Sequence, residues 1–267
     1  MARGTLAVVT TRPPPPWRSP SRGSARARSR ARRRVVAFAV YVASALTVVL
    51  GVGLALPSIT AATSGPRYPV TADDVATARA QLAALETKGR APRTGYEREL
   101  FGQAWSDVDR NGCDTRNDVL GRDLTAMTFK PGTRDCLVLS GTLADPYSGT
   151  TLTFERGPQT SALVQIDHVV ALSDAWQKGA QAWPPDVRER FANDPANLLA
   201  VDGPLNQAKG AGDAATWLPP HKPFRCRYVI RQVHVKATYG LWVTGAERDA
   251  IARELGRCEV VPDAAAG

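Results

Sequence analysis

Few residues in this chain are able to do acid–base chemistry at neutral pH. It has three histidines, His168, His221 and His234, and one of them stands beside an aspartate in the apolar stretch QIDHVV, residues 165–170. A neutral imidazole is a suitable proton acceptor around pH 7. Asp167 offers the hard oxygen that a divalent cation such as magnesium takes as ligand. About thirty residues on, NLLAV (197–201) opens with Asn197, and PLNQAKG (204–210) carries Asn206 and Lys209. Asn206 adds a second oxygen donor. Lys209 follows about one helical turn later and brings a cation toward any phosphate held there. A base, a small set of oxygen ligands that leaves room for water and substrate, and a counter-charge are the parts of metal-assisted hydrolysis. An isolated Asp-His pair is more often a hydrogen-bonded end to a strand. The ordered pair of asparagines downstream is what raises the chemical reading above that one.

These residues must be positioned by a strand, a long loop, a second strand and a helix. ALVQIDHVV (162–170) and NLLAV read as strands, and PLNQAKG opens a helix. Adjacent residues on a flat strand face opposite sides, so Asp167 and His168 share a site only where the strand bends or ends. Around this unit, residues 72–88 read as a helix capped by Thr71, and YERELFGQAW (96–105) as a second helix. DVDRNGCDTRND (107–118) reads as a loop. CLVLSGTL (136–143) and TLTFE (151–155) are expected to be strands joined by the turn DPYSG. Residues 173–183 and 186–192 read as short helices, and 224–257 as mostly helical. Strands and helices mix without a regular β-α-β alternation, which predicts an α+β fold with a short β-sheet and added helices.

The net charge of +9 is unevenly spread. Residues 1–34 hold ten arginines and no acid, which leaves 24 basic against 25 acidic residues in the rest of the chain. The basicity therefore belongs to a tail, expected to be disordered, and argues little for broad nucleic-acid affinity of the folded part. Residues 35–57 carry no charge over 23 positions, enough to cross a membrane as an anchor or to serve as a long signal segment. Flanking arginines on the cytoplasmic side would send the C-terminal part of the chain outside the cell. Residues 58–92 then read as linker and helix, 93–260 as the main domain and 261–267 as a disordered end. The four cysteines, Cys113, Cys136, Cys226 and Cys258, all lie after the uncharged segment and form no C-x-x-C pair. An even count in an exported domain favours disulfides over zinc. Of three pairings, the nearest-neighbour one, Cys113–Cys136 with Cys226–Cys258, is the expectation.

The blocks FGQAWSDVDRNGCDTRNDVL, GTLADPYSG, QIDHVVALSDAWQKGA, FANDPANLLAVDGPLNQAKG and DAATWLPP, taken in order from about Thr94 to Cys258, resemble the exported actinobacterial HNH endonucleases related to the C-terminal domain of GmrSD-type restriction enzymes. The resemblance implies a ββα-metal nuclease core acting on DNA, with RNA as a second substrate, and a divalent cation, magnesium first and manganese as an alternative. It implies His168 as general base, Asn197 as the residue that holds the histidine-bearing loop through backbone hydrogen bonds, and Asp167 with Asn206 as metal ligands. Asn206 stands where the original pattern ends in histidine. Lys209 and Arg116 are the expected phosphate contacts. A domain of the same fold that binds at the cell surface without catalysis is the competing reading.

Other features carry weaker signals. Asp107, Asp109 and Asn111 with Gly112 partly match a calcium loop, but Cys113 interrupts it and favours a plain turn closed by a disulfide. Arg122 and Arg116 are equally suited to salt bridges with Asp123 and Asp118. Trp176, Trp183 and Trp217 have apolar neighbours and are expected in the core rather than stacked on bases.

Overall fold

Thr71 starts the first helix by a reciprocal arrangement. Its hydroxyl accepts from the Asp74 amide at 3.0 Å, while the Asp74 carboxylate accepts from the Thr71 amide at 2.9 Å. Residues 67–262 are described by the computed structural model. Helix α1, Ala72–Ala84, buries Val75, Ala78 and Leu82, spaced to share one face. It ends four residues earlier than its pattern suggests, because Leu85 is extended. Ala78, Leu82 and Leu85 join one core cluster with residues of the two C-terminal helices. The boundary expected near Arg93 thus falls inside the packed unit.

The order continues with a 3-10 turn Arg98–Phe101, α2 (Thr115–Asp123) and an antiparallel meander β1 (Leu124–Phe129), β2 (Val138–Ala144), β3 (Thr151–Glu155). Next come β4 (Val164–His168), the short α3 (Leu172–Trp176), a 3-10 turn Ala180–Ala182, α4 (Pro185–Asn193), β5 (Leu198–Asp202) and α5 (Gly203–Lys209). A 3-10 turn Lys222–Phe224, α6 (Arg225–Tyr239) and α7 (Gly245–Leu255) complete the described residues. The class is α+β, with β4 and β5 forming a separate antiparallel pair.

That pair is buried on both faces, which is why its sequence reads as nearly continuous apolar residues. Val164, Ile166, Leu198 and Ala200 pack toward α2 and the meander. Val169, Leu199 and Val201 pack toward α1, α6 and α7. Trp176 and Trp183 belong to a third cluster with Phe101 and Phe191, and Trp217 lies against the first, so these three tryptophans serve packing.

Several expected elements change. The helix expected over 96–105 is reduced to one 3-10 turn, because Gly102 (φ 79°) and Trp105 (φ 62°) adopt left-handed backbone. The helix expected over 173–183 stops at Trp176, ahead of Gly179 at φ 133°. Helix α2 and strand β1 have weak patterns. The helix is polar, with Asp114 as its cap, and the strand buries fully only Leu124 while Ala126 sits at φ 50°.

Cys113 bridges Cys136, and Cys226 bridges Cys258. A group of six buried or half-buried charges ties α3, α6 and α7 together. Lys178 contacts Asp174, Asp213 and Glu247 at 2.7, 2.8 and 2.6 Å, and Lys236 contacts Asp174 and Glu247 at 3.0 and 2.9 Å. Arg90 adds pairs to Asp174 and Asp213. Three cations face three carboxylates, so the group is neutral as a unit. Among the described residues no helix is long and apolar enough to cross a membrane, and residues 35–57 lie outside them.

Candidate active site

Strand β4 ends at His168, and that termination lets two residues of opposite facing share one opening. Asp167 opposes Leu199 and His168 opposes Leu198 in the β4–β5 ladder. Beyond them the chain leaves the sheet. Asp167, His168 and Asn206 line one cavity of about 250 Å³, together with Ser173, Arg93 and Arg98.

Helix α5 supplies Asn206 and Lys209, and DGPL is built to launch it. The Asp202 carboxylate accepts from the Leu205 amide at 2.8 Å, and Pro204 occupies the first turn, where its missing N–H costs nothing. Gly203 passes so close to β4 that a Cβ there would lie 2.2 Å from the Ala162 carbonyl oxygen. The Asn206 side chain donates from Nδ2 to Gln165 Oε1 at 2.9 Å. Its Oδ1 is then left without a protein donor among the described residues.

Asp167 is held on both oxygens. Tyr147 donates its hydroxyl to Oδ2 at 2.5 Å, and the Lys209 ammonium donates to Oδ1 at 2.9 Å. Lys209 also donates to the His168 carbonyl at 2.8 Å. Burial pushes the Asp167 carboxyl above its ordinary pKa, against the opposing pull of the Lys209 ammonium and the Tyr147 hydroxyl. Burial likewise raises the Tyr147 hydroxyl well above the usual phenol value, keeping it a donor.

His168 is 8% exposed. Its Nε2 lies 2.8 Å from the Ala192 carbonyl, an oxygen that can only accept, so Nε2 carries the proton and Nδ1 keeps its lone pair. Burial lowers the ring's pKa to about 3, with the positive charges of Arg98 and Lys209 acting in the same sense. The imidazole is neutral at physiological pH.

Asn197 is fully buried and grips the chain just beyond His168. Its Oδ1 accepts from the Val170 amide at 2.8 Å, and its Nδ2 donates to the Val170 carbonyl at 3.2 Å. The Val169 amide also donates to the Asn197 carbonyl at 2.8 Å.

Two expected substrate contacts lie elsewhere. Lys209 is buried inside the fold with its ammonium committed to Asp167 and the His168 backbone, so it holds the site from behind rather than facing an incoming phosphate. Arg116 does not line the cavity. It sits beside Arg156 and reaches the Val164 carbonyl at 3.4 Å. Arg122 pairs with Asp123 and donates to the carbonyls of Pro195 and Leu198. The cations at the opening are Arg93 and Arg98, which sequence reasoning did not select. Arg98 lies in the segment expected to be ordinary helix, and Arg93 just before it, where the main domain was expected to begin. Tyr147 also escaped notice, although it stands in the conspicuous turn DPYSG.

The loop at Asp107, Asp109 and Asn111 is a turn knitted by its own groups. The Asp107 carboxylate accepts from the amides of Asn111 and Gly112, and Asp109 from Asn111. Among the described residues no cluster of three or more His, Cys, Asp or Glu side chains is arranged to hold a metal. The turn, closed by Cys113–Cys136, is the one the sequence favours over a calcium loop.

At the cavity, the donors present fit a hard divalent cation in kind. One carboxylate, each of whose oxygens retains a second lone pair, and one amide oxygen without a protein donor among the described residues belong to residues lining the same cavity.

Residues 114–254 match the family described as GmrSD restriction endonucleases, C-terminal domain. An uncharacterized secreted protein from Arthroderma benhamiae is 36% identical over 192 residues, covering 71% of this chain and 89% of that protein. No solved structure matches. The chain belongs to the GmrSD C-terminal domain family, a family of nucleases.

Proposed function

We propose that this protein is a metal-dependent endonuclease of the HNH type that hydrolyses phosphodiester bonds of nucleic acid outside the cytoplasm. One observation carries the reading. A neutral histidine, fixed through Nε2 on the Ala192 carbonyl, shares a cavity with a carboxylate and an amide oxygen. The antiparallel pair β4–β5 followed by α5 is the chain order a ββα-metal core requires.

His168 Nδ1 would take a proton from the attacking water as its oxygen bonds to phosphorus. The bond to the leaving oxygen breaks, and solvent protonates that oxygen. A pKa near 3 makes a free imidazole a weak base. A phosphate arriving beside it adds negative charge that favours the imidazolium, opposing the lowering by burial, Arg98 and Lys209. Arg93 and Arg98 would attract that phosphate. Asp167 and Asn206 would hold the divalent cation, magnesium or manganese, which when bound supplies charge relief at the phosphate and leaving oxygens. Tyr147 and Lys209 fix the Asp167 carboxylate, and Asn197 fixes the turn behind His168.

An extracellular site of action is supported by the secreted relative and by two disulfides. Purified full-length protein should nick supercoiled plasmid with added magnesium or manganese and stop with EDTA. Nucleic acid bound but left intact in every metal would replace this reading with that of a non-catalytic binding module.

A further inference from the structure

A second cavity of about 200 Å³ adjoins the first, and His168, Arg98 and Leu172 line both. Its character differs. Phe101, Trp105, Leu172 and Ala192 give it apolar walls, and the Trp105 ring lies within 18° of parallel to the His168 imidazole, with centroids 6.2 Å apart. Glu99 stands on its lining and opposes a phosphate there. Its volume is below the roughly 300–1,000 Å³ of sites for drug-sized ligands, which suits one ring system rather than a larger molecule.

We infer that this second cavity receives one unpaired nucleobase of the substrate strand, next to the phosphate held at His168. The inference rests on the nuclease reading and names the substrate as a strand with unstacked bases. Aromatic walls accept any base face. The pocket therefore selects unpaired over paired bases with little preference among them. A base inside a duplex must first be extruded, which single strands avoid.

The test compares kcat/KM of the full-length protein on one labelled oligonucleotide, single-stranded or annealed to its complement. It then repeats the single strand with an abasic residue moved one position at a time. The single strand should be cut at least about tenfold faster than the duplex. An abasic residue at one position beside the cleaved bond should cost a similar factor, the scale of one stacked base. Ala104 is an exposed lining residue. Ala104→Phe fills the cavity and should bring intact and abasic strands to equal rates without changing the unfolding midpoint. Equal rates on single strand, duplex and abasic strand by the unaltered protein would overturn the pocket and leave the nuclease reading standing. No cleavage of any substrate in magnesium or manganese would remove both.

Discussion

Asp167 is buried among apolar residues, carries a raised pKa, and is nevertheless held by a cation and a phenol. Such a carboxylate is an expensive way to close a strand. Removing one partner of a buried ion pair leaves an uncompensated charge, and the aspartate of this pair lines a cavity while its lysine lies behind it. The position suits a ligand whose orientation must not vary. Asn206 provides the sharper test because it is half-exposed and its loss should leave the fold intact. Asn206→Ala should raise the half-saturating magnesium concentration for cleavage at least about tenfold, since even outer-shell changes at metal sites cost roughly 10–100-fold. A metal titration superimposable on that of the unaltered protein would take Asn206 out of the ligand set.

The site depends on three elements meeting at the end of β4, and the tightest joint between them is Gly203. Its amide donates to the Leu163 carbonyl at 2.9 Å, and no side chain fits between α5 and the Ala162 carbonyl. Gly203→Ala should lower stability by about 1–3 kcal/mol, the usual range for an overpacked position. It should also displace Asn206, so that activity falls further than the unfolding midpoint suggests. Urea unfolding together with a rate measurement checks this, and an unchanged midpoint would show that the joint is loose. The strand-loop-strand-helix order here was legible from sequence, because β4 and β5 are buried on both faces and the two asparagines flank β5. Less was legible where packing between distant segments decides the outcome. Lys209 looked like a phosphate contact from its place one turn after Asn206, but the contact with Asp167 depends on how α5 lies across β4. Arg93 and Arg98 could not be picked out, because their place at the cavity depends on how residues 93–98 pack against the ends of β4 and α5, which leaves no pattern in the sequence.

At the scale of the whole molecule, the described residues are held by three apolar clusters, two disulfides and the group of six charges around Asp174. Nearby Lys236 and Lys178 pull the Asp174 carboxyl down to about 2 against the cost of burial, and the Lys236 ammonium is raised above its ordinary value by Asp174 and Glu247. A carboxyl depressed on folding contributes stability above its ordinary pKa, and that contribution is lost as pH falls through about 3.8 toward 2. Asp174→Asn should therefore cost about 3–5 kcal/mol at neutral pH, as expected when one partner of a buried pair is removed. The gap between variant and unaltered protein should shrink on acidification from about pH 5 to about pH 2. Denaturant unfolding across that range measures the gap, and a constant difference would show that the charge on Asp174 does not stabilise the fold.

Every role assigned around the cavity turns on His168 acting as the base of a hydrolytic site. The decisive quantity is the single-turnover cleavage rate of His168→Ala beside the unaltered protein, in saturating magnesium, on the same nucleic acid. The unfolding midpoint of both is recorded so that the rate is compared between folded molecules. The expected result is a rate roughly 10²–10⁴-fold lower with the metal requirement retained. Cleavage at the unaltered rate by a folded His168→Ala protein would show that the proton leaves the attacking water by another route and that His168 is not the base.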